Sequence, residues 1–386
     1  MLPAELRPTP LELAASVVVG WDPPDPLPAV PPALTPLDAL EEALVPALDR
    51  GGCLVAFSGG RDSSTMLTVA TRAARRRGFA DPIPVTLRFP GAEGTDERDW
   101  QEDVVAHLGL SDWRRIELTD ELDLLGDVAR DVLLRHRCPW PANGHSFEPL
   151  YAAARGGTLV TGMDGDGLLD GWQWAHTAAL LARRRRPVPR DVLRLAKAYG
   201  PRALRRAATV RRERPFAALD WLTDEARQSI TRLWADYVGG EPARWDRRLR
   251  WYPGQRYLRA LAALMEANAA HHGAAVLHPL LDRRFLAAVA RAGGRAGFAN
   301  RTEALRALTG ALLPERTITR RSKADFTWAF WGPESRRFAE TWDGTGLDPS
   351  LVRAHRLRAA WLAPKPDFRS ASLLQTAWLA SRGLDG

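Results

Sequence analysis

The sequence predicts an α/β fold in which a parallel, doubly wound sheet is followed by a mostly helical lobe. Two patterns carry this. Short apolar runs alternate with helical patterns from Cys53 to Thr161, and beyond Gly171 strand signals nearly vanish while Ala-, Leu- and Arg-rich helical patterns continue. Alternation of strands with helices implies crossover connections, hence parallel strands covered on both faces.

Taken in order, a short apolar run, Ala15–Val19, precedes seven prolines between residues 23 and 36, which exclude helix and central strand and predict an extended strap. From Pro36 the spacing of Leu37, Leu40, Leu44 and Leu48 predicts an amphipathic helix closed by Gly51-Gly52. Strands follow at Cys53–Phe57, Ile83–Phe89, Arg115–Leu118 and Thr158–Thr161, with helices from about Ser63 to Arg77, over Glu97–Leu108 and up to Arg155. The expected organisation is a strap and linker over 1–36, an α/β nucleotide-type domain over 37–172 and a helical lobe over 173–386. No internal repeat of fixed period is visible.

The chain has 386 residues, 45% hydrophobic and 26% charged, which excludes general disorder and suffices for one large or two medium cores. Two cysteines exclude a disulfide scaffold and Cys-rich metal modules and fit a reducing, cytoplasmic compartment; Cys53 and Cys138 read as buried structural thiols. The N-terminus lacks a secretory pattern, and no run of 18 apolar residues predicts a membrane span. The net charge of +8 is local: residues 183–214 hold thirteen basic residues against Asp191 and Glu213, leaving the rest of the chain slightly acidic. This segment reads either as a solvated helical surface or as a docking face for an acidic or peptide partner.

The most informative stretch is Ser58-Gly59-Gly60-Arg61-Asp62-Ser63, where an apolar strand runs through two glycines into a helix whose first turn carries an acid and hydroxyls. Glycines let backbone N–H groups approach a phosphate and the helix start adds positive potential, so the loop should hold an anion. It is not Walker A, because Gly-Lys-Ser/Thr is missing. It resembles the Ser-Gly-Gly-x-Asp-Ser loop of the ATP pyrophosphatases, which split ATP between the α and β phosphates.

Three later segments narrow the resemblance. Thr161-Gly162-Met163-Asp164-Gly165-Asp166 resembles the Ser-Gly-x-Gly-x-Asp-Glu segment of asparagine synthetases, His278-Pro279-Leu280-Leu281-Asp282 their Pro-Phe-Leu-Asp, and Arg321-Ser322-Lys323-Ala324-Asp325-Phe326 their Arg-x-Lys-x-x-Phe. Together these segments identify the chain as asparagine-synthetase-like, related to β-lactam synthetases and lasso peptide cyclases. The resemblance implies a sheet of the adenine nucleotide hydrolase-like type, with ATP and Mg2+ as cofactors.

By that resemblance Asp62 and Asp166 are the magnesium ligands, and Ser58, Gly59, Gly60 and Ser63 form the pyrophosphate loop. Adenine is expected beside Ala56, Leu87 and Gly162. Lys323, aided by Arg321, is expected to contact the α-phosphate during adenylation and acyl transfer. Lys323 is one of three lysines, with Lys197 and Lys365, in a chain that otherwise uses arginine, so its position implies a need for a compact ammonium.

The sequence also departs from the family. Residue 2 is leucine, where glutamine-dependent members have a cysteine, and only about fifty residues precede the synthetase domain, so glutamine hydrolysis is not expected. Met163, Gly167 and Ala275 stand where acids are expected, which removes groups for handling ammonia and its protons. The acceptor is expected either to arrive as a free amine or to be deprotonated by another group such as His145, His271, His272 or His278, and Met163 and His278 are candidate substrate contacts.

The expected function is an AMP-forming amide ligase that joins a small-molecule or peptide carboxylate to an amine acceptor, in natural-product or modified-peptide biosynthesis. Lasso-type macrolactam formation is one version. Ammonia-dependent asparagine synthesis and a non-catalytic ATP-binding partner are the alternatives. Nucleic acid is not expected, since lysidine and thiolation enzymes lack the Asp166 and Arg321/Lys323 segments in this form.

Overall fold

The computed structural model describes residues 2–90, 97–212, 216–310, 312–320 and 327–384. Five parallel strands form one sheet in the order β3-β2-β1-β4-β5: β1 Cys53–Ala56, β2 Ile83–Arg88, β3 Arg114–Glu117, β4 Thr158–Val160 and β5 Ala275–Leu277. Leu54 pairs with Ile83 on one side and Leu159 on the other, and Leu159 pairs in turn with Val276. The strand order reverses between β1 and β4. In a doubly wound sheet that switch opens a crevice at the carboxyl ends of the strands, and ligands bind there.

The first four strands lie where the apolar runs predict them. β5 does not: it comes from the part of the chain that the sequence reads as helical throughout. Its three residues are partly buried, with β4 on one side and no strand beyond among the described residues, so they carry neither a long apolar run nor a clean alternation.

Helix Arg61–Arg77 buries Met66, Leu67, Val69, Ala70 and Ala73 in the main core and ends on Gly78, whose φ of 73° a side chain would oppose. Helix Pro36–Asp49 packs beside it, started by Thr35, whose side chain accepts from the Asp38 amide. Buried Glu41 fastens the two helices, accepting from Arg72 at 2.6 Å and Arg76 at 2.9 Å. A second core gathers the carboxy-terminal helices around Trp221, Trp342, Trp361 and Trp378.

The proline-rich strap has no helix from Asp22 to Thr35 and is held from outside. Arg259 bonds Asp22 at 2.5 Å, Arg283 reaches the Pro26 carbonyl at 2.5 Å, and Arg291 donates to the Pro31 and Leu34 carbonyls. Residues 183–212 contain helices Asp191–Tyr199 and Arg202–Arg212, and this stretch exposes Val192, Leu193, Tyr199 and Leu204. No helix among the described residues is long and apolar enough to cross a membrane.

Candidate active site

β1 ends at Ala56 and the chain turns through Ser58, Gly59 and Gly60 into helix Arg61–Arg77. Gly59 takes φ 82°, and a Cβ there would meet Gln101 at 2.9 Å, so glycine is required on both counts. The loop is cross-tied: Ser58 N–H donates to Ser63 Oγ at 3.2 Å, and Ser63 Oγ donates to the Gly60 carbonyl at 3.0 Å. Gln101 donates to the Ser58 carbonyl at 3.2 Å and Arg320 to the Gly59 carbonyl at 2.9 Å. Arg320 is itself buried against Glu97 in an ion pair. The first N–H groups of the helix have no partner within it and point where an anion would sit.

β4 ends at Val160, one strand across the switch, and leads through Thr161, Gly162 and Met163 to the short helix Gly165–Leu169. Two glycines bring this segment against the first loop. A Cβ on Gly162 would stand 3.2 Å from Asp62 Cβ, and one on Gly165 would stand 2.5–2.8 Å from the Asp62 carboxyl group. Asp62 and Asp166 therefore converge, and both pair with one cation, Arg301: Arg301 Nη2 lies 2.6 Å from Asp62 Oδ1 and Nη1 contacts Asp166. Burial pushes the Asp62 carboxyl above its usual range, and Arg301 opposes that shift.

Asp62, Asp166 and Arg301 line a cleft of about 540 Å³, together with the apolar Val85, Leu87, Phe89, Phe147, Leu150 and Phe330. Of the expected residues, Ala56, Ser58, Gly60, Asp62, Ser63, Leu87, Gly162, Met163 and Asp166 border this cleft. Gly59 shapes the loop through its backbone and does not line the cleft. Arg321 and Lys323 lie outside the described residues.

His278 is not among the lining residues. Its Nδ1 lies 2.7 Å from Thr161 Oγ1, and burial holds the imidazole down to about 4. His145 bonds the Leu122 carbonyl and His272 bonds Glu148, each at 2.8 Å, and neither they nor His271 border the cleft. Cys53 is buried, which pushes its thiol up to about 12 and leaves it unreactive.

The residues fit Mg2+. Two carboxylates already share a cation beside a phosphate-type loop, and Mg2+ is commonly held by one or two carboxylates together with substrate phosphates. Among the described residues no group of three or more His, Cys, Asp or Glu side chains is placed to hold a metal.

The family model of asparagine synthase matches residues 38–380, nearly the whole of this arrangement. The chain belongs to that family. Membership makes it, in general terms, an ATP-dependent ligase of the amide-forming kind. Among solved structures the chain is similar to the NAD+ synthetase of Burkholderia pseudomallei, at 16% identity over 59% of this chain and 95% of that one, with a TM-score of 0.20. No curated protein matches the sequence.

Sequence reasoning missed Arg301, Arg320, Glu97 and Gln101. For Arg301 a signal exists. Asn300 caps its helix by accepting from the Glu303 amide, which puts a cation in the first turn, where the helix dipole disfavours it. A local misfit of that kind marks a residue placed for another purpose, here the two carboxylates.

Proposed function

We propose that the chain is an AMP-forming amide ligase. ATP binds across the β1/β4 crevice, and an oxygen of the substrate carboxylate attacks the α-phosphorus while pyrophosphate leaves. A nitrogen lone pair then attacks the acyl carbon, and the carbon–oxygen bond to AMP breaks. The observation that carries this reading is the convergence of Asp62 and Asp166 on one cation, in a cleft that also has an apolar region. Mg2+ held by these carboxylates would supply charge neutralisation on the phosphates.

In this reading the loop amides and Ser63 hold the pyrophosphate moiety, and Leu87, Ala56 and Gly162 border the base. Arg301, which now pairs with both carboxylates, is the cation that a bound Mg2+ would replace there. By the family resemblance Lys323, aided by Arg321, is assigned to stabilise the charge on the α-phosphate. Support for that assignment comes from the flanks: Arg320 is bonded to the phosphate loop at Gly59, and Phe330 lines the cleft. Met163 in the cleft wall favours a carboxylate substrate with an apolar body, such as one from natural-product or modified-peptide biosynthesis. The basic surface around Val192, Leu193 and Leu204 suits an acidic peptide carrying apolar residues.

The test is ATP–pyrophosphate exchange with pools of carboxylates and peptides. The reading expects substrate-dependent exchange that is lost in Lys323→Ala and in Asp62→Asn. ATP binding without exchange across broad pools would overturn it.

A further inference from the structure

Among the described residues eleven large apolar side chains stand well exposed, and seven of them fall between Leu181 and Val210. Val192 is 71% exposed, and Leu193 and Leu204 are 60% exposed each. Single apolar residues scattered over a surface need no explanation, but a concentration of them marks a place where something docks.

The same stretch is strongly basic. Positions 181–212 hold twelve arginines and lysines against one acid, Asp191. Asp191 is buried, where it accepts from Arg194 at 2.9 Å, from the Val188 amide at 2.8 Å and from Arg185, so it offsets little of the charge that faces solvent. A face made of aliphatic side chains among arginines complements a partner that brings apolar groups together with carboxylates, the latter matched to the planar fork of a guanidinium.

The face also has a shape. Between helix Arg202–Arg212 and helix Asp224–Gly240 lies a groove of about 650 Å³, with Ala203, Ala207 and Val210 on one side and Ala235 on the other. Arg202, Arg206 and Arg232 border it as well. The one acid in its lining, Asp236, is paired with Arg206 at 3.1 Å, while Arg202 and Arg232 make no ion pair among the described residues. The basic helices are fixed to the segment that carries Asp166: Lys197 and Arg205 each stand 5.9 Å from the ring centre of Trp174, five residues past the helix Gly165–Leu169.

We propose that this face, with the groove at its centre, docks an acidic peptide segment whose apolar side chains enter among the helices while its carboxylates pair with Arg202 and Arg232. A concave site between two helices suits a string of side chains better than a flat bilayer. Aliphatic residues between the arginines offer nothing to a sugar–phosphate backbone. The docking surface does not rest on the amide-ligase reading; that the docked peptide is the ligase's substrate does.

The probe is a short fluorescent peptide of Leu-Glu-Glu-Leu repeats, titrated into the full chain and followed by anisotropy. A peptide with serine in place of leucine carries the same charge and should bind at least about tenfold more weakly, since burial of even one leucine accounts for that factor. The pair Val192→Ser and Leu204→Ser removes exposed apolar groups without changing the charge, and Ala207→Trp fills the groove; each should weaken the leucine peptide about tenfold. Both alter exposed positions, and unchanged ATP binding verifies folding. Arg202→Ser with Arg232→Ser should flatten the salt dependence. Equal binding of the serine peptide, or unchanged binding in both folded apolar variants, would overturn the proposal. So would tighter binding to phosphatidylserine vesicles or to a DNA duplex than to the peptide, or self-association of the chain that Ala207→Trp abolishes, since each gives the face a different occupant. ATP–pyrophosphate exchange on the same protein separates the two readings. Peptide binding without exchange keeps the docking surface and removes the ligase; exchange without peptide binding does the reverse.

Discussion

Arg301 holds the Asp62 carboxylate at 2.6 Å, and with its other terminal nitrogen it holds Asp166. A guanidinium thus spans the two carboxylates that the metal would use. Arg301→Gln leaves two like charges facing each other, one of them largely buried. We expect unfolding free energy at neutral pH to fall by about 3 kcal/mol. Burial already raises the Asp62 pKa and losing Arg301 raises it further, so the folded protein without Arg301 prefers the protonated acid. The penalty therefore shrinks as pH falls through the raised Asp62 pKa. Adding Mg2+ with a nucleotide should restore part of the loss. Chemical denaturation at pH 5 and pH 8, with and without Mg2+, measures both effects.

Glu97 and Arg320 form a buried pair whose cation also supports the phosphate loop at Gly59. Arg320→Met strands a buried carboxylate, for a loss of ~3–5 kcal/mol, and removes a donor from the loop. The apparent ATP dissociation constant should rise with it. Arg320→Lys should recover part of the stability but not the ATP affinity, because an ammonium cannot serve both partners with the fork of a guanidinium. Equilibrium unfolding and nucleotide titration on the same samples decide this, and full recovery of ATP affinity by lysine would contradict it.

Gly165→Ala puts a methyl group 2.5–2.8 Å from the Asp62 carboxyl group. The carboxylate must move, so Mg2+-dependent ATP binding should drop at least tenfold. Metal-free stability should also fall, because moving the carboxylate loosens its pair with Arg301. Mg2+ titrations at fixed nucleotide give the answer.

His278 is buried neutral, its imidazole held down to about 4 against an ordinary value of 6.5. The unfolded chain binds its proton first as pH falls, so stability contributed by this histidine is complete above pH 6.5 and is lost between 6.5 and about 4. His278→Gln should flatten the stability profile in that window and leave it unchanged above. A wild-type slope that survives the substitution would assign the acid sensitivity elsewhere.

The parts of the fold that the chain writes locally were legible in advance. Leu54, Val55 and Leu159 sit in central strands buried on both faces, which demands continuous apolar runs, and the Ser58–Ser63 loop needs its glycines wherever it occurs. What could not be read depends on distant pairing. β5 is a strand only because β4 offers it an edge, and Arg301 meets Asp62 across a sequence separation of 239 positions. Asp164 shows a third kind of gap: only the hydroxyls of Tyr252 and Tyr257, far along the chain, reveal it as a held carboxylate.

The late arrival of β5 also governs how the protein is made. About 115 residues separate the end of β4 from β5, and ribosomes add roughly 5–20 residues per second. For roughly 6–23 seconds of synthesis, the outer rim of β4 has unpaired amides and carbonyls, the feature through which nascent chains recruit one another. Of the arginines that fasten the proline strap, Arg259 emerges within this interval and Arg283 and Arg291 only after it. Translation rate through residues 161–277 is therefore a handle on yield, and slow codons in that interval should cost more soluble product than the same codons placed after β5.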